Sequence, residues 1–315
     1  MKVLVTGGAG FIGSHIVDCL IRDKYEVLVV DNLSTGKEEN INTSSVFYRV
    51  DILDYASLEA VFQLEHPNYV IHQAAQINVH NSILNPSSDA ATNILGTINL
   101  LRCCVKFHVE KIVYASSAAV YGNPAYLGID EEHPLRPLSF YGVSKLTPEQ
   151  YLKSFSDLFQ LKYTILRYAN VYGIRQDPKG EGGVVSIFTD RLLQRKQPVI
   201  FGDGTQTRDF IYVEDVALAN LAALHLGDGQ IFNISTNQAT EVIKLLERMN
   251  EICGTEIKPV YLEAKPGEIK TCYLNNNKAR QLLSWKPDFS LTEGLELTLD
   301  YYSQMYSVKK GDLHA

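Results

Sequence analysis

Short apolar runs alternate with longer mixed segments through the first half of the chain. The apolar runs are rich in valine, isoleucine and leucine, and they lie at 3–5, 27–30, 46–50, 70–72, 111–115 and 164–167. Between them apolar residues recur at helical spacing, which predicts helices near 13–22, 57–63, 88–107 and 141–159. Ser88 is the expected N-cap of the third helix. This alternation predicts an α/β fold with a Rossmann-type, doubly wound parallel sheet.

The pattern becomes irregular after Asn170, where glycine and proline cluster between 173 and 183. Further helices are predicted near 184–195, 213–226 and 242–253, with a strand near 199–201. We therefore expect a dinucleotide-binding domain at 1–170, to which a segment near 209–228 returns. A smaller α/β substrate-binding domain is expected at 171–315.

Composition excludes several classes of protein. The 315 residues have a formal charge of −7 and contain no run of lysine and arginine, which argues against nucleic-acid and anionic-membrane partners. No apolar stretch approaches the ~20 residues that span a bilayer, and no signal-peptide pattern opens the chain, so we expect a cytoplasmic protein. The five cysteines lack a CxxC pairing, which favours reduced thiols over a disulfide framework or a metal site.

The run from Met1 to Gly13 predicts a dinucleotide-binding turn. Gly7, Gly10 and Gly13 follow the first apolar strand and precede the first helix. Glycines at this spacing permit a tight turn, let backbone N–H groups approach a pyrophosphate, and allow close helix packing. The helix N-terminus then presents partial positive charge to the phosphates.

Asp31 ends the second predicted strand, eighteen residues after Gly13. A carboxylate at this position can accept hydrogen bonds from the adenosine ribose hydroxyls, and it repels a 2′-phosphate. The sequence therefore predicts NAD rather than NADP as the cofactor.

Tyr141 and Lys145 lie four residues apart, on one face of a predicted helix. A neighbouring ammonium group stabilises a phenolate, so Tyr141 is a candidate general base. Ser117 ends a buried strand pattern at the edge where doubly wound sheets bind ligands. Its hydroxyl can bind a substrate hydroxyl and pass a proton toward Tyr141. We predict that these three residues form the catalytic group.

With these motifs the sequence closely resembles the extended short-chain dehydrogenase/reductase family, and specifically its UDP-glucose (UDP-galactose) 4-epimerases. The resemblance covers nearly the whole chain and rests on the following segments: 6–13, 31–36, Asp51-Ile52, 72–75, 93–97, Ser116-Ser117, Tyr141 with Lys145, 167–170 and 208–211. It implies an isomerase with tightly bound NAD that uses a 4-keto intermediate. It also implies a UDP-sugar-binding C-terminal domain and a homodimer formed through the helices at 88–107 and 141–159.

The resemblance further implies which residues bind NAD. Besides the three glycines, Tyr141 and Lys145, they are Phe11, Ile12, Asp31, Asn32, Leu33, Ser34, Thr35, Gly36, Asp51, Ile52, Gln73, Ala74, Ala75, Gln76, Ile77, Asn93 and Ala169. Ile77 stands where the family commonly has a lysine that lines the cofactor.

On the substrate side, the resemblance implies contacts from Ser117, Tyr141, Asn170, Val185, Phe201, Arg208, Lys265, Glu268 and Cys272. Arg208 suits a diphosphate because its guanidinium can bind two oxygens at once. Lys265 replaces a second arginine of the family, and lysine lacks that forked geometry. Val185 and Phe201 can equally be core residues.

Two positions narrow the expected reaction. The related sugar-nucleotide dehydratases have an acid pair directly after the hydroxyl residue, whereas this chain has Ala118 and Ala119, so we expect epimerisation. Cys272 aligns with a gate position at which a small residue admits a 2-N-acetyl group. UDP-N-acetylglucosamine and UDP-N-acetylgalactosamine are therefore also expected substrates. Alternative interpretations are a UDP-glucuronate 4-epimerase and a non-catalytic NAD-binding sensor.

Overall fold

The computed structural model describes residues 1–178, 183–264 and 269–311. Its central feature is a seven-stranded parallel sheet. In chain order its strands are β1 (Lys2–Thr6), β2 (Glu26–Asp31), β3 (Val46–Arg49), β4 (Tyr69–His72), β5 (Lys111–Ser117), β6 (Lys162–Tyr168) and β11 (Gln230–Ile234). Across the sheet they follow the order β11-β6-β5-β4-β1-β2-β3. The expected parallel sheet is confirmed.

Helices cover both faces of this sheet, which is why its central strands are apolar on both sides. The helices of the first half are α1 (Phe11–Arg22), α2 (Tyr55–Glu65), α3 (Val79–Leu84), α4 (Pro86–Ala90), α5 (Gly96–Lys106) and α6 (Phe140–Phe159). α1 packs with α8 (Val213–His225) on one face, and α2, α5 and α6 pack on the other. The sheet is therefore doubly wound.

A second apolar cluster lies beyond the carboxyl ends of the strands. It is formed by α7 (Val184–Leu193), α9 (Val242–Cys253) and α11 (Leu291–Gly311), together with short strands. The remaining elements are β7 (Asn170–Tyr172), β8 (Val199–Phe201), β9 (Thr207–Arg208), β10 (Phe210–Tyr212), β12 (Thr240–Glu241), β13 (Val260–Leu262) and α10 (Asn277–Leu282). The division of the chain at residue 170 stays a prediction.

The helix in the region of 88–107 differs from the predicted one in two respects. It begins at Pro86, and its N-cap is Asn85, whose side chain accepts a hydrogen bond from the Ser88 amide, so the prediction of Ser88 as the cap is wrong. Proline suits the first helical position because it needs no hydrogen-bond acceptor there. A π-helical turn, Ala91–Leu95, then separates α4 from α5.

Cys103 and Cys104 are buried on α5. Among the described residues, no helix combines the length and the apolar character needed to cross a membrane.

Candidate active site

The turn between β1 and α1 requires glycine at two positions. Gly7 has a φ of +69°, and a Cβ there would lie 2.6 Å from the Ala74 amide nitrogen. A Cβ on Gly13 would overlap with the carbonyl oxygen of Gly7. Larger residues at these two positions would push the turn away from its neighbours. The glycines therefore form a tight turn at the end of β1, which we call the glycine cradle.

The N-terminus of α1 faces this cradle without a side-chain cap. Gly10 is the N-cap residue and has no side chain with which to bind the first-turn amides. Phe11 and Ile12 follow it, and both are half-buried against the second apolar cluster. First-turn amides lack acceptors within their helix, so they can bind an anion here. The cradle therefore fits a dinucleotide pyrophosphate.

Asp31 ends β2 next to the cradle. One carboxylate oxygen accepts a hydrogen bond from the Ala9 amide at 3.0 Å, and the other accepts one from the Leu33 amide at 2.8 Å. Burial raises the pKa of Asp31, while these two hydrogen bonds act in the opposite direction. The side chain is thus a fixed acceptor at the carboxyl edge of the sheet.

The other predicted adenosine contacts surround Asp31. Asn32 donates to the Asp51 carboxylate at 2.8 Å, which joins the ends of β2 and β3. Asn32, Ser34 and Thr35 are exposed, and Leu33 and Gly36 are half-buried. Ile52, in contrast, is buried and lies under the first turn of α5.

The segment 73–77 follows β4 and is held from two sides. The side chain of Gln73 donates to the Tyr168 hydroxyl at 2.9 Å. Asn93 exchanges two hydrogen bonds with the backbone of Gln76, at 2.8 and 2.9 Å. Ala74, Ala75 and Gln76 are half-buried, and Ile77 is exposed. Asn93 is therefore a support of this segment.

The three predicted catalytic residues come together at the carboxyl edge of β5. Ser117 is its last residue, and the Ser117 hydroxyl oxygen accepts a hydrogen bond from the Ala119 amide at 3.2 Å. α6 starts beside it, because a Cβ on Gly142 would lie 2.7 Å from the carbonyl oxygen of Ala119. Tyr141 stands in this first turn and is half-buried.

Lys145 lies one helical turn after Tyr141 on α6 and is buried. Its ammonium group donates to the carbonyl oxygen of Ala115 at 2.9 Å, and its nitrogen is 5.3 Å from the ring centre of Tyr114. Burial lowers the pKa of Lys145 to about 8, and the Asp89 carboxylate acts to raise it. Lys145 therefore titrates closer to neutral pH than an exposed lysine.

A buried ion pair that we did not predict supports this edge. Arg167 on β6 donates to both carboxylate oxygens of Glu149 on α6, at 3.0 and 2.6 Å. Ser116 donates to the same carboxylate at 2.6 Å, and Arg167 also donates to the Tyr121 hydroxyl oxygen at 3.0 Å. The sequence signal for this ion pair is Arg167 itself, an arginine inside an apolar strand, because a buried charge requires a partner.

The predicted diphosphate contacts lie beyond the end of β6. Ala169 bonds the backbone of β11, and the exposed Asn170 donates to the carbonyl oxygen of Asp209 at 3.2 Å. Arg208 donates to the carbonyl oxygens of Thr207 and Ile269, both at 2.8 Å. Asp209 is buried and fixes the backbone of 236–237 and 274. Asn170 and Arg208 are thus neighbours around Asp209.

The remaining predicted substrate contacts are dispersed. Val185 is buried in the second apolar cluster, and Phe201 is half-buried on β8. Cys272 packs on the cluster around Tyr121, as do Ala118 and Ala169. Cys272 therefore shares this cluster with Ala118, the residue after Ser117. Lys265 and Glu268 lie outside the described residues.

The arrangement can perform proton transfer beside a bound dinucleotide. The residues that carry a phenol, a hydroxyl and a buried ammonium group lie at the sheet edge that also carries the glycine cradle. Ligands of doubly wound folds bind at this edge. Among the described residues, no group of three or more histidine, cysteine or acidic side chains is arranged to hold a metal ion.

Comparison with known proteins gives concordant matches over the whole fold. The model of the NAD dependent epimerase/dehydratase family matches residues 3–235. A putative UDP-glucose 4-epimerase of Methanocaldococcus jannaschii is 50% identical over 300 residues, which cover 95% of this chain and 97% of that protein.

Two solved structures are also similar. The UDP-glucose 4-epimerase of Thermotoga maritima, crystallised with UDP-glucose, superposes with a TM-score of 0.96 at 46% identity, covering 97% of this chain and 100% of that one. The UDP-glucose 4-epimerase of Thermus thermophilus, in complex with NAD, gives a TM-score of 0.92 at 40% identity, covering 96% and 99%.

Proposed function

This chain belongs to the NAD-dependent epimerase/dehydratase family, and from that premise we propose that it interconverts UDP-glucose and UDP-galactose by inversion at C4. The observation that supports this most directly is the placement of Ser117, Tyr141 and the buried Lys145 at the sheet edge that also carries the glycine cradle. A hydroxyl substrate bound there would meet a base beside the cofactor.

The residues around the cradle fit NAD. The uncapped N-terminus of α1 would bind the pyrophosphate, and Asp31 would accept hydrogen bonds from the adenosine ribose. Lys145 would hold the nicotinamide ribose, and the segment 73–77 would line the cofactor. NAD, when bound, supplies a reversible acceptor for the hydride of the sugar C4.

Tyr141 then acts as the general base. Ser117 binds the 4-hydroxyl of the sugar, and Tyr141 takes its proton as C4 is oxidised. Lys145 stabilises the phenolate, provided that the ammonium group stays protonated. The 4-keto sugar turns within the site, is reduced on its other face, and regains its proton from Tyr141. Substrate and product therefore have the same oxidation state.

The groups beside Ser117 favour epimerisation at C4 over elimination of water from the sugar. Ala118 and Ala119 offer methyl groups where elimination would need an acid and a base. The nearby carboxylate of Glu149 is fully buried and bound by Arg167 and Ser116, so it is not available for that chemistry. The site thus contains a base for the 4-hydroxyl and lacks an elimination pair at these positions.

For the rest of the substrate, we assign the diphosphate to Asn170 and Arg208, and we assign further substrate contacts to Lys265 and Glu268. We assign the uracil and ribose to the neighbourhood of Val185 and Phe201. Arg208 suits this role because it can bind two phosphate oxygens, whereas Lys265 would bind as a point charge.

Cys272 sets the proposed breadth of substrate. Its side chain packs on the same cluster as Ala118 and Ala169 and is small, as a gate that admits a 2-N-acetyl group requires. Cys272→Tyr should abolish turnover of UDP-N-acetylglucosamine while UDP-galactose turnover stays within about threefold of wild type. Cys272→Ser is the matched control and should turn over both. Equal loss of both activities in Cys272→Tyr would contradict the gate.

We also propose that the protein is a homodimer. Apolar side chains are exposed along α6 and at the end of the π turn, namely Leu95, Val143, Tyr151 and Leu158. Pairing of these helices with those of a second copy would bury them in a four-helix interface. A dimer mass in light scattering that is lost in Val143→Glu supports the proposal, and a monomeric wild type contradicts it.

The free thiols fit a reducing compartment, which agrees with a cytoplasmic location.

The activity is tested with purified protein and UDP-galactose, without added NAD. Proton NMR should show UDP-glucose accumulating to equilibrium, and Tyr141→Phe should abolish the conversion while bound NAD is retained. Turnover of UDP-glucuronate alone would favour the uronate epimerase. Bound NAD without any UDP-sugar turnover would favour a sensor.

A further inference from the structure

Asp89 is a buried acid that the mechanism above does not use. It lies on α4, is 1% exposed, and one carboxylate oxygen accepts hydrogen bonds from the side chains of Gln76 at 2.7 Å and Asn93 at 3.3 Å. Its other oxygen is buried and has no hydrogen-bond partner among the described residues. A half-satisfied buried carboxylate is costly, so its retention calls for a compensating charge.

Asn93 links Asp89 to the first turn of α6, because its side chain donates to the Asp89 carboxylate at 3.3 Å and to the Ser144 hydroxyl at 2.9 Å. Lys145 follows Ser144, and the Asp89 carboxylate acts to raise the pKa of Lys145.

The other groups facing Lys145 do not supply a free negative charge. His72 on β4 lies between the hydroxyls of Thr6 and Thr97, and burial lowers its pKa to about 3, so it is neutral. From β5, burial raises the pKa of Tyr114 well above its usual value, so it too is neutral.

On α6 itself, two further groups are close to Lys145. Glu149 is neutralised by Arg167, with which it forms the buried ion pair. Tyr141 is the reacting base, and its phenolate loses its negative charge each time it takes a proton from the substrate. Asp89 is therefore the standing counter-charge for the ammonium group in this part of the described structure.

Asp89 also belongs to a chain of hydrogen bonds between the segment 73–77 and α6. Asn93, in the π turn, donates to the Gln76 carbonyl oxygen at 2.9 Å and to the Ser144 hydroxyl oxygen at 2.9 Å. Ser144 in turn donates to the carbonyl oxygen of Tyr141 at 3.1 Å. π turns often occur at functional sites, and this one brings Asn93 between the two segments.

We propose that Asp89 is a positioning residue for the epimerisation, which keeps Lys145 protonated and anchors Gln76 and Asn93 against the first turn of α6. This inference rests on the proposed function, because Lys145 matters through the phenolate of Tyr141. Asp89 acts through Lys145 and touches neither the substrate nor the reacting atoms.

The test uses Asp89→Asn in the full-length chain, because asparagine keeps the shape and one acceptor oxygen but loses the charge. Removing a nearby opposite charge should lower the pKa of Lys145 by roughly one. The alkaline limb of kcat should then move toward neutral pH, with kcat at pH 8.5 roughly eightfold below wild type and near wild type at pH 6. KM should change less than twofold.

A second readout follows Lys145 directly. In protein labelled with [6-¹³C]lysine, the Lys145 signal, assigned with Lys145→Arg, should titrate at lower pH in Asp89→Asn. Asp157→Asn removes an equal charge from the exposed side of α6 and should leave both readouts unchanged. Asp89→Ser, which is smaller and neutral, gives the same test should the asparagine variant fail to fold.

An unchanged Lys145 titration in a folded, neutral Asp89 variant would overturn the inference. If the wild type epimerises UDP-galactose and the variant keeps its pH profile, this inference fails and the proposed function stands. If the wild type does not epimerise, the proposed function fails, and the NMR titration still decides whether Asp89 holds the charge of Lys145.

Discussion

Replacing Lys145 by methionine should remove activity and yet make the folded protein no less stable at neutral pH. Burial lowers the pKa of Lys145 from 10.5 to about 8, which corresponds to about 3 kcal/mol of unfolding free energy spent on holding this cation in the folded state. Methionine removes that cost. It also leaves the Ala115 carbonyl oxygen without its donor, which costs about 1–3 kcal/mol. The variant should therefore be between equally stable and ~2 kcal/mol more stable at pH 7.

The dependence of this difference on pH isolates Lys145. Below pH 8 the lysine is protonated in both states, so the difference between the two proteins is constant. Between pH 8 and 10.5 the folded lysine has lost its proton while the unfolded one retains it, so wild-type stability rises with pH. Relative to that of the variant, the free energy of unfolding of wild type should rise by about 1.4 kcal/mol per pH unit over this interval.

The measurement is urea unfolding of both proteins, freed of nucleotide, at pH values from 7 to 10. Contributions from all other ionisable groups are common to both proteins and cancel in the comparison. A difference that stays flat across this range would refute the picture of Lys145 as a buried cation. The proposed stabilisation of the Tyr141 phenolate would then lose its basis.

Two further predictions concern the cradle and the support of the site. Gly13→Ala should destabilise the fold by about 3 kcal/mol and abolish NAD retention, because the added methyl overlaps with Gly7. Differential scanning calorimetry measures the loss of stability, and the nucleotide content after gel filtration measures NAD retention. Retention of NAD at the wild-type level would count against this prediction. Glu149→Leu and Arg167→Leu should each lower the free energy of unfolding by about 3–5 kcal/mol, whereas the double variant should lose clearly less than the sum of these two losses. A double-mutant cycle measured by urea unfolding tests this. Additive losses would exclude the buried pair.

Local pattern was sufficient to predict the main sheet and the glycine cradle. Runs such as Val3 to Val5 alternate with helical stripes, and each such element is encoded within about a dozen residues. The turn at Gly7 is likewise marked by the local spacing of the glycines between residues 7 and 13. These features needed no knowledge of distant contacts.

Features that depend on distant partners were missed. The edge strand β11 pairs with β6 across more than sixty positions of the chain, and its short run of apolar residues was not recognised as a strand. The ion pair of Glu149 with Arg167 and the burial of Asp89 depend on how α4, α6 and β6 pack. The interruption at Ala91–Leu95 has no signal in apolar spacing, because a π turn changes hydrogen bonding without changing which residues are apolar.

In the proposed reaction, hydride leaves the sugar C4 and returns to the same carbon within one site. Conversion of UDP-[4-²H]galactose by the purified protein, with unlabelled NADH added to the solution, measures whether it does. We expect UDP-[4-²H]glucose with its deuterium fully retained. Loss of deuterium to water or to the added nucleotide, or the absence of UDP-glucose, would contradict it.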